Sequence, residues 1–212
     1  MENVLNLMGL SEEGLKEAQI EPSVGSGWLW ESGAYKVEVK QVAIFETERK
    51  AKMLKIELYD EAEDKTIVEY ANTSYIDKKT NEVTENKGGA HIFKALMSAI
   101  KLEPSQCVIK NEEIKAYGKD VQAQVIDNAA GRKCIALVRQ VEDPNNEKYQ
   151  DSNVIEGFAD ISRMINGSEE AILKWEAKIS KQSVLIKKSK KAKSTTTAST
   201  EANKDAALNL LD

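Results

Sequence analysis

The chain has 212 residues, 41% of them apolar and 31% charged, which is enough for one packed domain with extensions and too apolar for a disordered chain. Its net charge of −5 argues against a uniformly basic nucleic-acid binder, and no apolar run approaches the ~20 residues that would cross a bilayer. Glu2, Glu12 and Glu13 stand where a secretory leader would carry bases, so a cytoplasmic location is expected.

Residues 1–27 read as an N-terminal arm. Val4, Leu5, Leu7, Met8 and Leu10 are apolar, Ser11 opens either a short helix to Ala18 or a mobile arm, and residues 22–27 form a Pro/Gly/Ser loop. From Gly33 the period becomes two: Tyr35, Val37, Val39, Ala43 and Phe45 alternate with Lys36, Glu38 and Lys40, which predicts a half-buried strand with Tyr35 and Phe45 in the core. After a polar turn at 46–49, Leu54, Ile56 and Leu58 predict a second strand with Lys55, Glu57 and Tyr59 outward. After a turn at 60–64, the β-branched and aromatic run 66–75 predicts a third. Residues 77–89 read as a long mobile loop.

Ile92, Phe93, Leu96, Ala99 and Ile100 fall on one helical stripe that Pro104 ends. A short strand at 107–109, a fourth strand around Val121, Ala123 and Val125, a hairpin-like turn at 127–131 and a fifth strand at 134–141 follow. The order strand, strand, strand, helix, strand, strand matches a five-stranded OB-type barrel with its helix between strands three and four. Residues 153–158 predict an extra strand, and a helix led by Gly167-Ser168 turns Ile172, Trp175 and Ile179 one way. Residues 187–212 read as a disordered Lys/Ser/Thr-rich tail with an apolar tip. The expected division is thus an arm (1–27), an OB-type domain (28–186) and a tail.

Charge is unevenly spread. Residues 1–32 carry six acids and one base, while residues 187–193 carry five lysines and no acid, so the central domain is nearly neutral and free to hold a basic groove on one side. Cys107 and Cys134 are the only cysteines and His91 the only histidine. That set is too sparse for a structural zinc site and reads as two reduced, buried thiols. No phosphate-binding glycine loop, metalloprotease or nucleophile-elbow motif is present. The chain is therefore expected to be non-enzymatic, with no cofactor and no metal site.

Binding features are richer. An OB barrel holds unpaired strands by stacking bases on aromatic rings and meeting phosphates with Lys and Arg. The candidate nucleic-acid-binding residues are Trp28, Trp30, Tyr59, Tyr70 and Tyr75 among the aromatics, with Lys36, Lys40, Arg49, Lys50, Lys52, Lys55, Arg132, Lys133 and Arg139 among the cations. Trp28 and Trp30 either stack on bases or cover the open barrel end. Tyr70 and Tyr75 have opposite parity, so in a regular strand only one faces the groove. The lysine run at 187–193 either meets DNA or only solubilises the tail. The apolar tip at 206–212 either frays or docks on a partner.

Read as a whole, residues 27–188 resemble a family of bacteriophage single-stranded DNA-binding proteins. The resemblance rests on Glu31-Ser32-Gly33-Ala34-Tyr35, Val39-Lys40-Gln41-Val42-Ala43, the stretches 51–58 and 89–102, Tyr117-Gly118-Lys119-Asp120-Val121, Asn153-Val154-Ile155-Glu156-Gly157-Phe158 and Lys174-Trp175. It implies an OB-type fold and a protein that coats single-stranded DNA in phage replication or recombination, in the host cytoplasm, with replication or recombination proteins as partners of the tail. The tail departs from such binders by lacking a strongly acidic end. The alternative function is an OB-fold protein–protein interaction module that does not bind nucleic acid.

Overall fold

The structure, a computed structural model, describes residues 4–11, 13, 30–77, 79–145, 151–163 and 167–187. Among them run the helices α1 (Val4–Met8), α2 (Lys87–Ala99) and α3 (Ser168–Lys181). The strands are β1 (Gly33–Glu46), β2 (Lys52–Asp60), β3 (Lys65–Ile76), β4 (Val83–Glu85), β5 (Ile109–Ala116), β6 (Lys119–Ile126), β7 (Lys133–Glu142), β8 (Asp151–Ala159) and β9 (Val184–Ile186). The protein is mainly β. None of these helices is long and apolar enough to cross a membrane.

One nine-stranded sheet contains every strand, in the order β4-β3-β2-β1-β6-β5, with β7 branching from β1 and carrying β8 and β9. β1 is the hub. Its first half, Gly33–Glu38, pairs antiparallel with β7, and its last residues, Ala43–Phe45, pair with β6, while β2 follows its other edge from Glu38 to Glu46. The handover occurs at a bulge between Val39 and Gln41, where Lys40 is the extra residue. Such a bulge bends the strand and raises its twist.

The bulge also corrects the predicted facing of β1. Val37 and Val39 enter the main core, but after the extra residue it is Val42 and Ile44 that continue there. Ala43 and Phe45 face the opposite way, into a second apolar cluster with Ile114, Ala116, Ala123 and Val125. A single inserted residue flips every side chain beyond it, and simple alternation from Tyr35 to Phe45 misses this.

Three expected elements differ. The loop predicted at 77–89 contains β4 and the start of α2. The strand expected at 107–109 lies further on, at 109–116, and the turn at 127–131 joins β6 to β7, which pair with β1 rather than with each other. The closed five-stranded barrel also gives way, because the sheet is not closed: among the described residues no ladder joins β3 or β4 to β8. α2 packs against both β3 and β8 instead and buries nine of its thirteen residues. Asn86 caps α2 by accepting from the Gly88 amide at 3.0 Å, and its own amide bonds Thr73 O of β3 at 2.9 Å. Gly89 permits this approach, since a Cβ there would stand 2.2 Å from Asn72 O.

The arm is partly structured: α1 buries Val4, Leu5, Leu7 and Met8 in the main core and packs on β2, and Thr73 Oγ1 donates to Met8 O at 3.1 Å. The expected helix from Ser11 to Ala18 and the loop at 22–27 lie largely or wholly outside the described residues, as do Trp28 and the tail beyond 187. α3 packs Ile172 and Trp175 onto Ile135, Leu137 and Ala159 in a third cluster.

Candidate nucleic-acid interface

The register across β3, β2, β1 and β6 places Tyr70, Lys55, Ala43 and Val125 side by side, with Met53, Phe45 and Ala123 in the next row. This face is the one opposite the main core. β5 and β6 are joined by Tyr117-Gly118, both with positive φ (51° and 76°), as a two-residue type I′ hairpin turn requires.

The tip of that hairpin reaches back across the sheet. Tyr117 stacks on Tyr70 with centroids 4.2 Å apart and planes 22° off parallel, and its amide donates to Tyr70 Oη at 3.3 Å. Phe45 meets both rings edge-on at 6.4 and 6.3 Å. β3 and the β5–β6 hairpin lie on opposite sides of β1 in the sheet, so their contact means that the sheet curls around this face. Phe45 forms the buried floor of the trio, Tyr70 is half-buried, and Tyr117 is 59% exposed at the rim. Burial, then Tyr70 and Glu69, push the Tyr117 phenol up to about 12, so it stays a neutral donor at physiological pH.

Beside the trio opens a pocket of about 370 Å³, lined by Phe45, Arg49, Tyr117 and Lys119 together with Glu46 and Glu48. A second pocket, of about 540 Å³, shares Phe45 and Glu46 and is lined by Lys52, Asn111, Gln122 and Gln124. The β1–β2 turn supplies the mouth. Thr47 O accepts from the Lys50 amide at 2.9 Å, Lys50 adopts φ 62°, and Arg49 is exposed. Lys50 and Lys52 grip Glu46 at 2.8 and 2.9 Å, and Lys119 reaches Glu48 at 3.1 Å. Those two lysines hold the Glu46 carboxyl down at about 2. Among the described residues Arg49 has no ion pair. The mouth thus sets four cations against two carboxylates, a local excess the chain's net charge conceals.

Comparison of the chain with family models, with curated proteins and with solved structures finds no match.

Of the predicted residues, the structure gathers Arg49, Lys50, Lys52 and Tyr70. Lys55 is next to them in register but buried, donating to Gln41 at 3.0 Å and Glu57 at 2.8 Å. Lys40, Tyr59 and Lys133 form a separate patch: Lys40 Nζ lies 4.8 Å from the Tyr59 ring and bonds Glu38, Tyr59 donates to Asp64, and Lys133 faces Glu61 at 3.6 Å. Lys36 is exposed opposite Ile135 of β7. Tyr75 sits at the end of β3 against Thr84 of β4, so Tyr70 is the one that faces the trough.

Three residues prove structural. Trp30 is 2% exposed, packs edge-on against Tyr35 at 4.6 Å and is pinned through its backbone to the Asn153 side chain, so no base can stack on it. Arg139 is buried in an ion pair with Glu156. Arg132 clamps the carbonyls of Ile100, Lys101 and Asn128.

Sequence reasoning missed Phe45, Tyr117 and Lys119 as site residues. The Tyr117-Gly118 pair carries a usable signal, an aromatic residue at the tip of a tight turn, but β5 before it (IKNEEIKA) is too charged to read as a strand.

Proposed function

We propose that this protein binds single-stranded DNA without sequence preference and without enzymatic activity, as a coat on unpaired strands in replication or recombination. The observation that carries the reading is the Tyr70–Tyr117 stack at the rim of an open pocket with cations at its mouth. A base stacked on such a ring contributes about 1–3 kcal/mol, whatever its identity. The lysines that hold Glu46 and Glu48 do so in solvent-exposed pairs. Such pairs are weak and screened by salt, so a phosphate can take a carboxylate's place. The strand order around α2 and the curl of the sheet support an OB-type reading of the fold.

The test is a titration of fluorescently labelled oligo(dT) at low and high salt. Micromolar or tighter binding that weakens as salt rises is expected, and no binding at low salt rejects the reading.

The competing reading, a protein-interaction module, draws on one observation: three of the four cations at the mouth already have carboxylate partners. Pull-downs with and without nuclease separate the two, since partners held through DNA disappear on nuclease treatment.

A further inference from the structure

A second basic pocket lies on the α3 side of the molecule. It measures about 580 Å³ and is lined by Arg139 of β7, Glu156 of β8, Lys174, Lys178 and Lys181 of α3, and Gln182, with Ala177 and Leu185 supplying apolar wall. At its base Arg139 Nη1 donates to Glu156 Oε1 at 3.1 Å and Nη2 donates to Gln182 O at 2.7 Å, while Lys178 Nζ donates to Glu156 Oε2 at 2.8 Å. One carboxylate thus serves two cations, and the trio keeps a net positive charge where Arg139 and Glu156 are buried. Arg139 Nε is also buried with no hydrogen-bond partner.

Two further lysines extend the charge. Lys174 holds Glu170 in an exposed pair at 2.7 Å, and Lys181 has no ion pair among the described residues. Around the pocket stand four cations against two carboxylates, Glu156 at its base and Glu170 on Lys174. A packing device needs only the Arg139–Glu156 pair. Surplus cations spread around a pocket suit a polymeric anion better than a single small one.

We propose that this pocket binds a phosphate of the nucleic-acid backbone, giving a bound strand a second anchor apart from the aromatic trough. The proposal rests on the single-stranded DNA reading above and adds a site to it.

The test compares the full-length chain with its Lys174→Gln/Lys181→Gln variant, neither residue belonging to the Arg139–Glu156–Lys178 trio. Melting temperatures confirm equal folding. The probe is labelled oligo(dT) of about 30 nucleotides, longer than the ~4–16 that one OB-type groove covers, and a short one of about 8. The variant is expected to bind the long probe about tenfold more weakly, with a salt slope reduced by about 1–2, and to bind the short probe unchanged. Equal affinity and slope for the long probe overturn the second anchor while leaving the trough standing. If the wild-type chain binds neither probe, both readings fall. If the variant loses affinity for polyglutamate but not for oligo(dT), the pocket serves an acidic protein segment and the proposal is wrong.

Discussion

Tyr117 holds φ at 51° in a turn whose favoured first residue is Asn. A non-glycine residue in the left-handed region costs about 1 kcal/mol, and strain of this kind gathers at functional sites. Tyr117→Asn should therefore leave stability within about 1 kcal/mol of wild type in a urea melt, yet weaken oligo(dT) binding roughly tenfold to a hundredfold. Equal losses of stability and binding would make the ring a packing residue. Gly89 poses the opposite case. Gly89→Ala forces a methyl into the β3 backbone and should cost about 3 kcal/mol, read from the urea midpoint. Glu46 links the site to pH. Its folded carboxyl titrates at about 2, below the ordinary 4.5, so its contribution is complete above the ordinary value and is lost as pH falls toward 2. Glu46→Gln should flatten the fall in stability across that window, measured by urea melts between pH 5 and pH 2.

At the scale of elements, β1, β2, β3 and α2 were legible because their apolar periods are long and regular: Leu54, Ile56 and Leu58 alternate, and α2 carries a continuous stripe. β5 was not, since Ile114 and Ala116 are its only buried residues and its other positions are largely charged or polar. Its pairing is dictated by β6 and the type I′ turn rather than by its own pattern, which is how the aromatic trio escaped notice with it. The facing of Phe45 was lost to one bulged residue, Lys40, and bulges leave no mark in a period-two count. Burial of Trp30 and Arg139 depends on the distant partners Asn153 and Glu156, which no local pattern reveals. α3 was legible as amphipathic, and its docking rests on Trp175 and Ile172. Trp175→Ala should destabilise by about 3–5 kcal/mol, seen as a lowered urea midpoint with the aromatic trough unchanged.

Across the whole molecule, the branching of β1 does two jobs. Its first half, with β7 and β8, builds a wall on which α2 and α3 pack. Its second half, with β6 and β5, throws a hairpin back over the sheet and makes a trough on the face away from the core. A chain of net charge −5 can bind a polyanion only if its cations are gathered, and they are gathered at the β1–β2 turn and around α3. Ultraviolet cross-linking of oligo(dT), followed by mass mapping of tryptic peptides, addresses the trough directly. The account predicts adducts on the peptide of residues 116–119, which contains Tyr117, and their loss in Tyr117→Asn. Binding with adducts confined to other peptides, and none on 116–119, would contradict it.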